Sequence, residues 1–254
     1  MPNDSGYSSD EQVLPDLTPA SENLENEDDV VLPSQTSTIL SEDTLRITFN
    51  PTGIPNEVDI WVDRRPGCGG TTWPAGRVLS DYLTRQGSDN LAGKRCLELG
   101  SGTGLVGIAA AKLGAQVLVT DQGPFVPIME TNIKFNHVEN EVKALELNWG
   151  EPLPPNLGPI DIILAADCVY FVEAYSLLIQ TLCDLDDAYP NAEFLFCYRR
   201  RKKSDKRLFP SLLRKHFNWK EVADDPNKDI YSRKDVCLLH LTRRKEGGSG
   251  KKTR

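Results

Sequence analysis

Several kinds of site are poorly supported because the residues they need are scarce or badly spaced. The chain of 254 residues has only three histidines, scattered along its length, so a metal site has little support. Its six cysteines include no Cys-x-x-Cys pair, which is typical of free thiols in a reducing compartment. No apolar run approaches the ~20 residues that a membrane-crossing helix needs, and the first residues show no basic-then-apolar signal. We therefore expect a cytoplasmic protein without a metal site or a membrane anchor.

Positive charge is missing from the first part of the chain. Residues 1–43 hold eleven Asp and Glu and no Lys or Arg, so the net charge of −8 belongs to this segment and the remainder carries +3. The segment is also rich in Ser, Asn and Pro and poor in aromatic residues. Such a composition cannot bury enough apolar surface to offset the entropy cost of ordering, so we predict a disordered acidic tail over residues 1–43. A second flexible tail, which is basic, is predicted over residues 243–254.

Between the two tails, residues 44–242 are predicted to form one domain. It begins with two strands, residues 44–49 and 58–62, that a Pro/Gly turn joins into a hairpin. Apolar strands then alternate with amphipathic helices, which indicates an α/β fold with a mostly parallel sheet covered on both faces. The last two strands, residues 219–222 and 236–241, are separated by a polar connection without a helix. We therefore expect a terminal antiparallel strand pair at the end of the sheet.

The most distinctive stretch is a glycine turn between a strand and a helix. An apolar strand leads into Gly100, Gly102 and Gly104, and a helical pattern follows at once. Glycine lets the backbone approach a nucleotide-like ligand closely, because it has no Cβ and accepts positive φ angles. Asp121, at the end of the next strand, is placed to accept hydrogen bonds from ribose hydroxyl groups. The turn therefore predicts an adenosine-containing cofactor.

Two classes of cofactor fit this glycine pattern. Gly102, Gly104 and Gly107 match the dinucleotide spacing G-x-G-x-x-G. The apolar strand ends just before Gly100, however, so Gly100 should be the first glycine of the turn, and Gly107 should be a close-packing position inside the helix. An acidic residue, Glu98, then stands two positions before the first glycine. The pattern alone is weak, since a glycine-rich turn can also serve only to pack a helix on a strand.

Two later segments bring aromatic and acidic residues to the same edge of the predicted sheet. Trp149 follows the third core strand, where an indole could stack on an adenine ring or close the core. Asp167 ends the wholly apolar fourth core strand, and Tyr170 lies three residues further on. A carboxylate that ends a buried strand is costly without a role. Asp167 could still merely cap the next segment and Tyr170 could belong to the core, so both interpretations stay open.

These segments together resemble a known family. The turn from Glu98 to Gly104, the Trp-Gly-Glu-Pro of residues 149–152 and the Ala-Ala-Asp-Cys-Val-Tyr-Phe of residues 165–171 are similar to the seven-β-strand protein lysine methyltransferases with a D/E-x-x-Y motif. The resemblance implies a Rossmann-like seven-stranded methyltransferase sheet, mostly parallel with the terminal antiparallel pair. It also implies S-adenosylmethionine as the cofactor and N-methylation of a protein lysine as the reaction.

Two further segments narrow the resemblance. Residues 67–76 are similar to the segment that precedes the core in the same family, and residues 198–209 narrow the resemblance further. Together, all these segments resemble the fungal members that methylate a lysine of translation elongation factor 1A. The resemblance then covers all of the chain except its two tails. It implies a protein substrate, elongation factor 1A, for an enzyme that we expect to be monomeric and to need neither a membrane nor a nucleic acid.

The resemblance also implies the residues of the site. Cofactor contacts are expected from Trp73, Glu98, Gly100, Ser101, Gly102, Asp121, Trp149 and Ala166. Asp167 and Tyr170 would border the substrate lysine as the catalytic pair. Our hypothesis is that Asp167 accepts hydrogen bonds from the incoming ammonium group and aims it, while Tyr170 shapes a narrow channel.

Residues 199–203 are five consecutive basic residues that precede a helix predicted over residues 206–217. The run could dock an acidic protein surface or nucleic-acid phosphate, or it could be the solvated start of the helix. Cations at a helix N-terminus oppose the helix dipole, which slightly favours docking. RNA methylation on the same fold therefore stays an alternative. An NAD-dependent oxidoreductase would lack an evident Tyr-x-x-x-Lys pair, and a non-catalytic cofactor-binding protein is the third alternative.

Overall fold

The computed structural model describes residues 35–39, 44–49, 57–63 and 70–244, which form two sheets and the helices around them. The smaller sheet is antiparallel and contains β1 (Gln35–Ile39), β2 (Thr44–Phe49) and β3 (Val58–Asp63) in that order. β2 and β3 form the predicted hairpin, in which Ile47 lies opposite Ile60.

The strand β1 was not expected. It lies inside the segment 1–43 for which the sequence predicts disorder, so that prediction does not hold for Gln35–Ile39. Thr and Ile favour extended backbone, and the open edge of β2 offers β1 a full ladder of hydrogen bonds. The remainder of the acidic segment lies outside the described residues, as do residues 245–254 of the predicted basic tail.

The larger sheet has seven strands. They are β4 (Arg95–Leu99), β5 (Gln116–Asp121), β6 (Val142–Glu146), β7 (Ile162–Ala166), β8 (Glu193–Arg199), β9 (Phe217–Glu221) and β10 (Val236–Arg243). Their order is β6-β5-β4-β7-β8-β10-β9, and β10 alone runs antiparallel to its neighbours β8 and β9. The predicted α/β fold with a mostly parallel sheet and an antiparallel pair at its edge is thus confirmed. The chain reverses its direction of travel across the sheet between β4 and β7, where open α/β sheets bind ligands.

Helices cover both faces of this sheet. They are α1 (Pro74–Gln86), α2 (Ser88–Leu91), α3 (Leu105–Lys112), α4 (Val126–Phe135), α5 (Tyr175–Ala188), α6 (Lys203–Leu213) and α7 (Lys228–Ser232). Alternate residues of β7 face opposite sides, so that Ile162 and Leu164 join one buried cluster, and Ile163 and Ala165 join the other. Within the described ranges, none of these helices has the length and apolarity required to cross a membrane.

Two features near the end of the chain differ from the predictions. The helix predicted over residues 206–217 begins at Lys203 and ends at Leu213. It starts earlier because the Asp205 carboxylate accepts hydrogen bonds from the backbone N–H groups of Arg201 (2.9 Å) and Lys202 (2.8 Å). The connection between β9 and β10 contains the short helix α7, which the sequence did not predict. A helix of five residues depends on tertiary packing, here of buried Tyr231 against the core.

Two asparagines, one in the last turns of α4 and one directly after it, attach the small sheet to the main domain. Asn132 accepts a hydrogen bond from the Trp61 N–H at 2.7 Å and donates to the Trp61 carbonyl at 3.0 Å. Asn136 makes the same pair of bonds with Asp59, at 3.0 and 2.6 Å. The amide of Asn132 also donates to the Thr103 carbonyl at 2.9 Å. The small sheet is therefore fixed beside the glycine turn that follows β4.

Candidate active site

The glycine turn begins where β4 ends. Gly100, Gly102 and Gly104 have φ angles of 60°, 53° and 81°, which side-chain-bearing residues rarely adopt. A Cβ atom at Gly100 would lie 2.9 Å from Cζ2 of Trp149 and 3.0 Å from Sγ of Cys168. Both the backbone conformation and the space around it therefore require glycine at this point.

Gly107 lies outside the turn, within α3. A Cβ atom there would come 2.3 Å from Cγ1 of Val119 on β5, so the missing side chain lets the helix pack closely on the sheet. This confirms the interpretation in which Gly100 is the first glycine of the turn and Gly107 is a packing position.

Glu98 supports the turn from within the protein. Its carboxyl group is buried, and Oε2 accepts a hydrogen bond from the Gly107 N–H at 2.9 Å. Burial raises the pKa of Glu98 to about 8, although the Gly107 N–H opposes this shift. The side chain thus holds the first turn of α3 to β4, and its predicted contact with a cofactor stays a prediction.

Asp121 lies at the end of β5 and faces the turn. Its Oδ2 accepts a hydrogen bond from the Gly102 N–H and its Oδ1 from the Gln122 N–H, both at 2.8 Å. Burial raises the pKa of this carboxyl group. A carboxylate oxygen has two acceptor positions, so each oxygen of Asp121 retains one. Two adjacent acceptors beside a glycine turn fit the vicinal hydroxyl groups of an adenosine ribose.

Ser101 is another predicted cofactor contact, but its side chain bonds to the backbone of β4 and β5. The hydroxyl group accepts a hydrogen bond from the Thr120 N–H at 3.0 Å and lies 3.2 Å from the Glu98 carbonyl. The Ser101 N–H donates to the Thr120 carbonyl at 2.9 Å. The side chain therefore joins β4 to β5.

Trp149, Ala166 and Trp73 approach the sheet edge from three different segments. Trp149 follows β6, and its half-buried indole ring packs on the backbone of Gly100. Ala166 is the half-buried last residue of β7. Trp73 immediately precedes α1, and its carbonyl accepts a hydrogen bond from the Gly76 N–H at 3.0 Å. The structure thus places Trp149 directly against the glycine turn, whereas the Trp73 ring contacts the guanidinium group of Arg201.

Asp167 follows β7 and is held in an ion pair. Its backbone has a φ of 58°, and only 2% of its side chain is exposed. Oδ1 accepts hydrogen bonds from Arg201 Nη1 at 2.8 Å and from the Arg199 N–H at 3.2 Å, while Oδ2 accepts one from Arg201 Nη2 at 2.7 Å. The Arg201 guanidinium carbon also lies 5.2 Å from the centre of the Trp73 ring. Arg201 therefore joins a predicted catalytic residue to a predicted cofactor contact.

In the sequence, Arg201 is only one member of a run of five basic residues. A buried carboxylate needs a cationic or hydrogen-bonding partner, so the apolar strand before Asp167 did signal that a partner exists. The sequence held no signal for which cation it is, since the two residues are 34 positions apart.

The basic run is divided in the folded protein. Arg201 turns inward, whereas Arg200 is 34% exposed and lies 3.8 Å from Oδ1 of Asp235. Lys202 and Lys203 are exposed. The run is therefore not a uniform surface strip.

Tyr170 lies at the rim of the site. It is 40% exposed and is followed by Phe171 and Val172, which are 42% and 39% exposed. Three consecutive exposed apolar side chains beside buried Asp167 form a surface, residues 170–172, that we call the apolar rim. Such surfaces are typical of contact sites for other molecules. Within the described part of the chain, no group of three or more His, Cys, Asp or Glu side chains is arranged to hold a metal ion.

Comparison with known proteins identifies the family. Residues 54–215 match the family described as lysine methyltransferase. Protein-lysine N-methyltransferase EFM6 of Saccharomyces cerevisiae is 36% identical over an alignment of 203 residues, which covers 70% of this chain and 82% of the relative. EEF1A lysine methyltransferase 3 of Mus musculus is 33% identical over 171 residues, which are 66% of this chain and 72% of the relative.

A solved structure supports the fold independently. The T. thermophilus 16S rRNA methyltransferase RsmC, in complex with AdoMet and guanosine, is similar with a TM-score of 0.56 at 20% identity. The likeness covers 82% of this chain and 52% of that one, so this chain spans about half the length of that structure. At this identity the comparison concerns the fold alone, which is that of a Rossmann-like methyltransferase. Family match, sequence relatives and fold agree, and the chain belongs to the lysine methyltransferase family.

Proposed function

We propose that this protein transfers a methyl group from S-adenosylmethionine to the ε-amino group of a lysine in translation elongation factor 1A. One observation carries the proposal, in a chain of the lysine methyltransferase family. Two groups of residues meet at one edge of the sheet: the glycine turn with Asp121 on one side, and Asp167 with Tyr170 on the other. The first group suits an adenosine-containing cofactor, and the second suits a long basic side chain.

On the cofactor side, bound S-adenosylmethionine supplies an electrophilic methyl group on a sulfonium centre. The backbone of Gly100 and Gly102 allows close approach, since neither residue has a Cβ. The two acceptor positions that Asp121 retains would bind ribose hydroxyl groups. Trp149 and Trp73 would contribute aromatic surface, and Ala166 a small side chain that leaves room.

On the substrate side, the lysine amine must lose a proton before it can attack, because its unperturbed pKa is ~10.4. Asp167 and Tyr170 would border this amine. The three donors on Asp167 leave one acceptor position on Oδ2, which would accept a hydrogen bond from the lysine nitrogen and direct it. Tyr170 would narrow the entrance, and the proton can leave to water. Positioning of this kind supplies a large part of the acceleration in an in-line displacement.

The assignment of elongation factor 1A is supported by two observations. Together with the other motifs, residues 67–76 and 198–209 resemble fungal enzymes that methylate this factor. A relative of 33% identity, from mouse, carries the factor in its name.

The experiment is methyl transfer in vitro. The full chain is incubated with labelled S-adenosylmethionine and recombinant elongation factor 1A, and the modified residue is located by mass spectrometry. We expect label on one lysine and none with the Asp167→Ala variant. If the cofactor binds but the factor stays unlabelled, the choice of substrate is wrong, and a labelled lysate identifies another. Label in that lysate that nuclease removes would contradict protein methylation and support an RNA substrate.

A further inference from the structure

The fixed geometry of the Asp167 carboxylate depends on one side chain, that of Arg201. Two hydrogen bonds of 2.8 and 2.7 Å join the guanidinium fork to both carboxylate oxygens. This bidentate geometry sets the plane of the carboxylate as well as its position, which a lysine ammonium could not do. With the Arg199 N–H as a third donor, a single acceptor position is left on Oδ2. Arg201 thus determines where Asp167 can accept a further hydrogen bond.

Arg201 is itself anchored from the other side. Its backbone N–H donates to Oδ2 of Asp205 at 2.9 Å, and the Tyr175 hydroxyl donates to Oδ1 of the same carboxylate at 2.6 Å. Asp205 is fully buried, and these hydrogen bonds help to lower its pKa. The base of the Arg201 side chain is therefore held by α5 and α6, so that its guanidinium is directed from a rigid support.

The same guanidinium reaches the predicted cofactor side. Its central carbon lies 5.2 Å from the centre of the Trp73 ring, a distance at which a cation is attracted to an aromatic face. The residues that Arg201 contacts therefore come from the end of β7 and from the start of α1. One cation fixes the relative position of these two segments.

The charge of Arg201 also suits the chemistry. A carboxylate without another partner would stabilise the ammonium form of an incoming lysine, which cannot attack. A carboxylate that a guanidinium already neutralises can still accept a hydrogen bond, and it favours the charged lysine much less.

We propose that Arg201 is a positioning residue of the active site, which acts by fixing the Asp167 carboxylate and the Trp73 indole. The proposal rests on the proposed function. This role differs from docking of the substrate by the basic run, residues 199–203. Docking would change the affinity for the substrate, whereas positioning changes the turnover.

The test compares three variants of the full chain in the methyl-transfer assay. Arg201→Met should lower kcat by roughly 100-fold, as expected for a displaced reactive group, with the KM for the protein substrate changed by less than about threefold. Arg201→Lys should lower kcat by about tenfold, because it keeps the charge but not the fork. Arg200→Met removes a cation from the same run whose partner is Asp235, and it should leave both constants within about twofold of wild type.

A second set separates positioning from folding. Arg201→Met leaves Asp167 buried without its cation, which destabilises the fold. Combining it with Asp167→Asn removes the unpaired charge, so the double variant should unfold at a higher urea concentration than Arg201→Met alone. Its kcat should nevertheless stay as low as that of Asp167→Asn, because the two residues act as one unit.

The outcomes are distinguishable. If wild-type protein transfers methyl groups and Arg201→Met keeps its kcat, the role of Arg201 is contradicted. The same holds if the double variant recovers both stability and turnover, or if Arg200→Met and Arg201→Met raise KM alike. If wild-type protein binds the cofactor and methylates nothing in a lysate, the proposed function fails instead.

Discussion

The two sides of the proposed site are built by different means. On the cofactor side, the carboxyl groups of Glu98 and Asp121 bind backbone N–H groups, those of Gly107 and Gly102. On the substrate side, Asp167 accepts one hydrogen bond from a backbone N–H, that of Arg199, but its two shorter ones come from the side chain of a cation. The first side is therefore defined by the path of the main chain and the second by a pair of opposite charges.

This difference has consequences for how each side can change. A residue that replaces a glycine of the turn must adopt a φ angle that glycine alone adopts easily, or the backbone of the turn must change. The ion pair, the apolar rim and the exposed lysines next to them can each be changed by one substitution without a new backbone path. We expect the cofactor side to be intolerant of substitution, and the substrate side to be where a member of this family can acquire a different protein substrate.

The comparison is tested most strongly at Gly100. In Gly100→Ala, the new Cβ would lie 2.9 Å from the Trp149 ring if the backbone kept its φ of 60°. Because that distance is too short, the turn must shift. We expect affinity for S-adenosylhomocysteine to fall by about 100-fold, which corresponds to ~3 kcal/mol. Isothermal titration calorimetry measures this loss directly.

Gly87→Ala is the matched control for the turn. Gly87 has a φ of 78°, and nothing lies within 4 Å of its missing Cβ. Its ψ is 174°, so an alanine there also meets a backbone penalty, of about 1–3 kcal/mol of stability, but without the steric contact. Unchanged cofactor affinity in both variants would show that the turn does not hold the cofactor.

Local features explain why the glycine turn could be predicted from the sequence. The strand, the three glycines and the helix are consecutive in the chain, and the end of the apolar strand indicated that the turn begins at Gly100. The mostly parallel sheet followed from the alternation of strand and helix, because parallel strands need crossover connections.

Contacts between distant residues explain what the sequence did not predict. Arg201 and Asp167 are 34 positions apart, and a run of five basic residues does not indicate which of them turns inward. The start of α6 depends on Asp205 bonding backwards to two N–H groups, and β1 depends on the edge of β2. In each case a tertiary partner outweighed the local composition.

A second prediction concerns the buried carboxyl group beneath the turn. The pKa of Glu98 is raised to about 8 in the folded protein, whereas an unfolded Glu titrates near 4.5. Its stabilising effect is therefore complete below about pH 4.5 and is lost as the pH rises through about 8. Glu98→Gln keeps an acceptor for the Gly107 N–H and does not titrate. We expect the variant to gain on the order of a few kcal/mol of unfolding free energy over wild type between pH 5 and pH 9.

Urea unfolding of both proteins at several pH values measures this difference. The comparison between variants cancels the titration of all other groups, as long as the slopes of the transitions agree. If the unfolding free energies of wild type and Glu98→Gln changed with pH in the same way, the Glu98 carboxyl group would be ionised in the folded protein, and burial would not control its pKa.

The smallest effect is expected at the apolar rim. Phe171 is 42% exposed and therefore still partly buried, so Phe171→Ser should lower the unfolding free energy by about 1–2 kcal/mol, which leaves the protein folded. If the rim contacts the protein substrate, the KM for that substrate should rise several-fold while kcat and cofactor affinity stay unchanged, because a peripheral contact contributes to binding equally in the ground state and the transition state. Leu208→Ser, on α6, removes an apolar side chain of equal exposure and serves as the control. Equal KM values for the two variants would show that Phe171 has no part in substrate binding.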